Sequence, residues 1–183
     1  MDSGRKKVFF WQLAGYGIVT LLGSLLHFAY AWSGDSPVVG AFSAVNESTW
    51  EHMKLFFFPM LLFARIERFA FRDVPCFFRI RLGGTLLGLL LIPVLFYTYQ
   101  GVFGKSPDFV NIAIFFLAAL AAFVYAGRRL VRATEGNAGC GSSPELPLLI
   151  FALLAGAFVL FTFCPPKIPL FRDPLTGGYG ISG

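Results

Sequence analysis

The sequence predicts an all-α integral membrane bundle, and its composition, apolar segments and basic clusters each favour that fold. Of the 183 residues, 56% are hydrophobic and 14% are charged, whereas typical soluble domains carry about 25% charged residues. Phenylalanine alone fills 23 positions. This composition excludes a disordered chain and a disulfide-rich secreted scaffold, and it makes the lipid bilayer the first partner to expect.

Five apolar segments of a single domain, residues 1–183, are predicted to span the membrane. A helix needs about 20 mostly apolar residues to cross the hydrocarbon core, and such segments cover residues 8–30, 50–71, 82–99, 109–126 and 146–164. The second is the weakest, because Lys54 and Arg65 flank a short apolar stretch, but both side chains can reach an interface. The first begins like a signal peptide, yet its apolar run exceeds the roughly 7–15 residues of a signal core.

Basic residues cluster in alternate connections and predict the orientation of the bundle. Eleven of them lie at the N-terminus and in the second and fourth connections, Arg81 included, and four lie on the other side. Because basic loops stay in the cytoplasm, we expect a multi-pass protein of the cell membrane with its N-terminus inside and its C-terminal tail outside. The net charge of +5 is therefore a topology signal, and no nucleic-acid partner is expected.

Several further features are expected to be structural. Lipid gives no hydrophobic drive for helix association, so small residues at helical spacing predict where the spans pack. These are Gly84 and Gly88, Ala118, Ala122 and Ala126, and Ala152 and Gly156. The three cysteines, at 76, 140 and 164, include no CxxC pair and predict neither a disulfide framework nor a zinc knuckle. Glu67, among Arg65, Arg68 and Arg79, is expected to form ion pairs at the interface.

His27 is the first polar residue that needs an explanation, because ionisable groups at membrane depth are costly and are functional candidates by default. It lies five residues before Trp32, which is expected at the outer interface. Tyr16, Thr20, Ser24 and His27 recur at helical spacing, so His27 is expected to face the bundle. An ordinary interhelical hydrogen bond would also account for it.

The segment 46–54, NESTWEHMK, is the second polar cluster. Its ionisable residues are Glu47, Glu51, His52 and Lys54. Ser48 and Glu51 have the spacing of a capping box, in which each side chain binds the other residue's backbone amide, and this explains both without any activity. Trp50 is typical of an aromatic belt. Glu47 and His52 are left without a structural explanation.

The third cluster is the tail 165–180, PPKIPLFRDPLTGGYG. Its prolines and glycines break helices, but its apolar residues are not those of a disordered tail. We therefore expect residues 165–183 to form an ordered tail over the outer mouth, from which Arg172 and Asp173 can reach a pocket. An Asx turn accounts for Asp173 equally well.

The alternating spans bring these clusters to one outer surface and predict a polar extracytoplasmic pocket there. Its expected members are His27, Trp32, Asn46, Glu47, Trp50, Glu51, His52, Lys54, Arg172 and Asp173. Within it, His27, His52 and Glu51 are candidate ligands for one divalent metal such as zinc, with Glu47 or Asp173 as a catalytic base. The same groups also suit a proton relay.

Three motifs, HFAYAWSG at 27–34, NESTWEHMK at 46–54 and the tail 165–180, resemble a bacterial membrane family classed as domain of unknown function 6512. The resemblance covers nearly the whole chain. It implies a small multi-helix membrane protein and no assigned activity.

The function that these observations favour is non-enzymatic. We expect a membrane protein that binds or transports a small solute, or that assists a membrane protein partner, through the outer pocket. The alternative is a metal-dependent membrane hydrolase or transferase that uses the histidine and carboxylate groups. The sequence carries no Walker A, GxSxG or Rossmann motif, so it gives no case for a nucleotide enzyme or a serine hydrolase.

Overall fold

A computed structural model describes residues 3–104, 107–136 and 143–182. The helices are α1 (Ser3–Trp32), α2 (Pro37–Gly40), α3 (Thr49–Glu67), α4 (Phe77–Phe103), α5 (Asp108–Thr134) and α6 (Glu145–Phe163). Two short 3-10 helices, Pro169–Phe171 and Gly180–Ser182, lie in the C-terminal tail. Within the described residues there is no β-strand, so the all-α prediction is confirmed. Each of the five predicted apolar segments coincides with a helix.

Four of these helices, α1, α4, α5 and α6, are long and apolar enough to cross a membrane. The helix of the second predicted span, α3, is not among them, because Glu51, Lys54, Arg65 and Glu67 interrupt its 19 residues. The structure is therefore a helical bundle with four helices suited to a membrane, and it does not confirm the predicted count of five.

Helix α3 forms the centre of the bundle. Twelve of its 19 residues are buried. The ring of Phe57 lies 4.9 Å from that of Phe158 in α6, and the ring of Phe63 lies 5.8 Å from that of Phe123 in α5. Protein therefore surrounds α3 on several sides, and its charged residues can pair with other helices in a way that a lipid-facing helix does not allow.

Small residues let α4 approach its neighbours closely. A Cβ atom added to Gly84 would lie 2.9 Å from the carbonyl oxygen of Ala122 in α5, and one added to Gly88 would lie 2.4 Å from the ring of Phe56. The side chains of Ala118, Ala122 and Ala126 are fully buried. The predicted packing role of these residues is confirmed.

The small residues of α6 behave differently. Ala152 and Gly156 are both exposed, and no described residue lies within 4 Å of a Cβ atom added to Gly156. The prediction that they contact another helix of this chain is wrong, because α6 turns this side away from the bundle.

The cysteines depart from the sequence-based expectation. Cys76 is buried and disulfide-bonded, so the prediction of no disulfide is wrong at this position. Cys164 is exposed and free, and Cys140 lies outside the described residues.

Glu67 and Arg81 form an ion pair in the bundle interior, and both side chains are fully buried. Gln12 of α1 donates to Glu67 Oε1 at 2.8 Å and accepts from Arg81 Nη2 at 3.0 Å. The guanidinium also faces the rings of Phe63 and Phe123 at 5.5 and 5.1 Å. The expected interfacial pairs of Glu67 are therefore wrong, and Arg81 belongs to a buried part of α4, not to a connecting loop.

Candidate metal centre

Two histidines and one glutamate meet at the tail end of the bundle, which is the end where α1 finishes, α3 begins and the C-terminal tail packs. The Nε2 atom of His27 lies 3.6 Å from Glu47 Oε1, and that of His52 lies 3.5 Å from Glu47 Oε2. The ligand atoms of these residues, which we call the His–Glu–His cluster (His27, Glu47 and His52), all lie within 4.8 Å of one another. One cation can therefore reach all three side chains after small movements.

Each member of the cluster comes from a different local structure. His27 projects from the last part of α1, and His52 belongs to the first turn of α3. Glu47 precedes Ser48, whose hydroxyl caps α3 by accepting from the Glu51 amide at 3.4 Å. This half of the predicted capping box is confirmed, and it fixes the start of the helix that carries His52.

Asn46 holds the loop that carries Glu47. Its side-chain oxygen accepts from the Ser48 amide at 2.9 Å, and its side-chain nitrogen donates to the Gly180 carbonyl at 3.1 Å. The first bond shapes the loop as an Asx turn, and the second ties it to the C-terminal tail. Asn46 therefore positions Glu47 through the backbone and does not contribute to the cluster directly.

The orientation of His52 is fixed by a backbone carbonyl. Its Nδ1 atom lies 3.0 Å from the Ser48 oxygen, and because a carbonyl only accepts, Nδ1 carries the proton of that bond. In the neutral ring, Nε2 then presents a lone pair toward the Glu47 carboxylate at 3.5 Å. Two acceptors that face each other are favourable when a cation, either a proton or a metal ion, lies between them.

The cluster is accessible and opens on a cavity. The side chains of His27 and His52 are each 29% exposed, and that of Glu47 is 41% exposed. A cavity of about 170 Å³ lies beside them. Its polar lining comprises Glu47, Thr49, His52, Gln100, Asp108 and Asn111, and rings and aliphatic side chains of α4, α5 and the tail complete it. A bound ion would therefore face a space large enough for a small solute.

Glu51 and Lys54, both predicted pocket residues, lie instead in a separate, closed network. Lys54 Nζ donates to Glu51 Oε2 at 2.6 Å, to the Gly40 carbonyl at 2.8 Å and to Thr162 Oγ1 at 2.7 Å. All three ammonium protons thus have acceptors. Both charged side chains are 2% exposed or less.

The remaining acceptor capacity of Glu51 is also used. Its carboxylate accepts from the Val45 amide at 3.1 Å and lies 3.2 Å from the Thr162 hydroxyl, whose single proton it shares with the Phe158 carbonyl at 3.0 Å. The predicted reciprocal bond of the capping box, from Ser48 to this carboxylate, is absent because the Ser48 amide binds Asn46. Glu51 thus joins α3 to α6. The prediction of Glu51 as a metal ligand is wrong, and Glu47 lies beside the two histidines instead.

The two predicted tryptophans have different surroundings. The indole of Trp50 packs 4.5 Å from the ring of Phe158 and 4.7 Å from that of Phe171, inside an aromatic cluster formed by α3, α6 and the tail. Trp32 is 70% exposed and stacks on Phe28 at 5.7 Å. Neither lines the cavity beside the His–Glu–His cluster.

In the tail, Asp173 forms the Asx turn that was one of its two sequence-based explanations. Its carboxylate accepts from the Leu175 amide at 2.9 Å and from the Thr176 hydroxyl at 2.7 Å. Arg172 is exposed and pairs through its backbone with Tyr179. The tail reaches the cavity through Pro174 and Leu175.

The polar residues that α4 and α5 contribute to the cavity were not predicted from the sequence; they are Gln100, Asp108 and Asn111. The topology could have predicted them. Because successive long helices alternate in direction, the connection between α4 and α5 lies at the end of the bundle where α1 finishes. Thr162 could likewise have indicated the closed network, because it is a polar residue within the apolar segment of α6.

The fold and the cluster define a class of protein: an all-helical bundle with helices apolar enough for a membrane and a histidine–carboxylate group at one end. The chain belongs to the family of unknown function DUF6512, whose sequence profile matches residues 3–181. This confirms the family resemblance. Neither the curated proteins nor the solved structures contain a match to the chain.

Proposed function

We propose that this protein crosses a bacterial cell membrane five times, with its N-terminus in the cytoplasm and its tail outside. The 19 residues of α3 span about 28 Å at 1.5 Å per residue, close to the roughly 30 Å hydrocarbon core. Its central burial supports a fifth crossing despite its charges. The basic residues of the N-terminus and of the α3–α4 and α5–α6 connections support the orientation. The disulfide of Cys76, in the α3–α4 connection, is the observation against it, because disulfides are rare in the cytoplasm.

Labelling of Cys164 tests this orientation in a variant whose other cysteines are replaced (Cys76→Ser, Cys140→Ser). A membrane-impermeant maleimide should label the exposed Cys164 in intact cells. The control is a variant without native cysteines that carries Ser3→Cys, which should react only after the membrane is opened. Labelling of the Ser3→Cys variant alone in intact cells would contradict the proposal.

We propose that the solute of this protein is a divalent metal ion of the zinc type, held by the His–Glu–His cluster for binding, transport or transfer to a partner. The observation that carries this proposal is the His52 ring, whose Nδ1 is held by the Ser48 carbonyl while Nε2 faces Glu47. Ligating histidines use the same arrangement, in which a carbonyl fixes the ring and the other nitrogen binds the metal.

The distances support the same conclusion. With bonds of about 2.0–2.1 Å, two ligands of a tetrahedral zinc ion lie roughly 3.3–3.4 Å apart. The two nitrogen–oxygen distances of the cluster are 3.6 and 3.5 Å, so small side-chain rotations bring His27, Glu47 and His52 to a tetrahedral ion. The fourth position is left to water or a solute from the cavity, as in exchangeable or catalytic zinc sites.

Metal content is the decisive measurement. Detergent-purified protein is loaded with zinc, desalted and assayed by mass spectrometry. We expect about one equivalent in the wild type and in the control Glu145→Gln, an exposed glutamate far along the chain from the cluster. His27→Ala, His52→Ala and Glu47→Gln should each retain much less zinc. No zinc in the wild type, or equal zinc in all variants, would refute the proposal. A proton would then be the cation shared by these groups.

A metal-dependent hydrolase or transferase is the second candidate, and Asp108 favours it. This carboxylate lines the cavity beside the cluster and is not one of the three candidate ligands. A general base for a metal-bound water must lie near the metal without binding it. Its place in the first turn of α5 also suits the helix dipole. Zinc-dependent hydrolysis of p-nitrophenyl acetate that Asp108→Asn abolishes, with zinc retained, would favour the enzyme. Unchanged hydrolysis would reject it.

A further inference from the structure

A second concave surface lies at the opposite, basic end of the bundle, where α1 begins and α5 ends. It is a groove of about 440 Å³ between these two helices. Arg5 and Arg128 lie on its two walls together with Phe9, Leu13, Leu120 and Val124. None of these residues belongs to the His–Glu–His cluster or to its cavity.

The two walls have the same order of side chains. Along α1 the residues Arg5, Phe9 and Leu13 are spaced by four, and along α5 the residues Leu120, Val124 and Arg128 are spaced by four, so each set follows one face of its helix. Because α1 leaves the basic end and α5 returns to it, both arginines lie at the same end of the groove. Each wall then carries apolar side chains to a point about 12 Å along the helix from its arginine.

Between the two walls, Gln12 and Tyr16 bring polar groups to the groove. Gln12 lines the groove, but its side chain binds Glu67 and Arg81. A Cβ atom at Gly127 would lie 2.9 Å from Gln12 Cγ, so the glycine allows α5 to close against α1 beneath the groove. A ligand in the groove therefore meets charge at one end and mostly apolar side chains along the rest, with the Tyr16 ring among them.

The charge at the mouth is positive. Arg5 binds Glu135 at 2.6 Å, which offsets one charge, whereas Arg128 and Arg132, one turn further along α5, add two exposed cations. Arginine binds phosphate oxygens through two parallel hydrogen bonds, and basic residues near a membrane surface attract anionic lipid. The groove is thus complementary to a molecule with an anionic head and an apolar chain.

We propose that the groove between α1 and α5 binds one anionic phospholipid, with its phosphate between Arg5 and Arg128 and an acyl chain along Phe9, Leu13, Leu120 and Val124. A free phosphate would use the arginines but not the apolar walls. A zwitterionic lipid of the same chain length would use the walls but would gain less from the arginines. The site is independent of the metal proposed at the tail end.

Native mass spectrometry of the purified protein, titrated with phosphatidylglycerol or with phosphatidylcholine of the same chains, tests the proposal. We expect one phosphatidylglycerol to bind about tenfold more tightly than phosphatidylcholine. Arg128→Gln should weaken phosphatidylglycerol binding by about tenfold, equivalent to roughly 1.4 kcal/mol. The control Arg129→Gln removes the same charge from an exposed neighbour that does not line the groove, and it should have a much smaller effect.

A second variant tests the apolar walls without changing charge. Val124→Trp fills the groove at a half-exposed position and should abolish the preferential binding of phosphatidylglycerol. Glycerol phosphate, which carries the phosphate without chains, should compete poorly. Equal binding of the two lipids, equal losses in Arg128→Gln and Arg129→Gln, strong competition by glycerol phosphate, or a change of oligomeric mass in Val124→Trp would each overturn the proposal.

Discussion

Two polar groups use the first turns of α3: the closed network of Glu51, Lys54 and Thr162, and the open His–Glu–His cluster. They differ in burial and in how completely their hydrogen bonds are formed. In the network the charged side chains are 2% exposed or less and each ammonium proton has an acceptor. In the cluster the side chains are 29–41% exposed, and the groups face each other at 3.5–3.6 Å. The complete set of hydrogen bonds in the network fits a structural role, whereas the open groups of the cluster are those to which we assign the metal.

The first prediction tests the network and has the largest expected effect. Lys54→Met leaves the Glu51 carboxylate buried without its cation, and removal of one partner from a buried pair costs about 3–5 kcal/mol. Unfolding of the detergent-solubilised protein should show that loss. The double variant Glu51→Gln, Lys54→Met should recover part of it, since no charge is then buried alone. A loss below about 1 kcal/mol in the single variant would contradict the structural role.

The second prediction concerns the cluster and depends on zinc. At a zinc concentration 100 times the dissociation constant, binding should stabilise the wild type by about 2.7 kcal/mol. His27→Ala and His52→Ala should each lose the whole zinc-dependent stabilisation. Their double variant should lose no more than either single variant, so the two losses are not additive. Without zinc, each substitution should cost about 1 kcal/mol or less, as for exposed pairs. Additive losses with zinc present would exclude a shared site.

The third prediction has the smallest effect and sharpens the role of α6 in the network. Thr162→Val removes the hydroxyl that accepts from Lys54 and donates to Glu51 or to the Phe158 carbonyl, which should cost about 1–2 kcal/mol. The control is Thr134→Val, an exposed position whose hydroxyl binds its own helix at Val131, and it should change stability by less than about 0.5 kcal/mol. Similar effects at both positions would show that α6 is not anchored through Thr162.

Much of the helical fold could be predicted from the sequence, because long apolar segments and their spacing are local properties. His27 and His52 could also be assigned to one end of the bundle, since successive spans alternate in direction. The role of Glu51 could not. The local capping box predicts that Glu51→Gln is nearly neutral, whereas its contacts with Lys54 and with Thr162, 111 residues away, predict a loss of several kcal/mol.

Arg81 gives the same lesson at the basic end. By sequence it is one of a group of arginines in a connection, and the positive-inside rule explains it. Its burial depends on Gln12 and Glu67, which belong to α1 and α3, and no local pattern reports that three helices meet at this point. Long-range pairing of polar groups is the part of this fold that periodicity cannot supply.

The bond between Asn46 and the Gly180 carbonyl links the loop of Glu47 to the end of the chain. Gly180 also packs against α6, where a Cβ atom would lie 2.7 Å from the Thr162 carbonyl. Because linkage is reciprocal, an ion bound at Glu47 would also protect the tail from a protease, and a disturbed tail would weaken ion binding by the same free energy. An affinity tag is therefore best attached to the N-terminus, away from both polar centres.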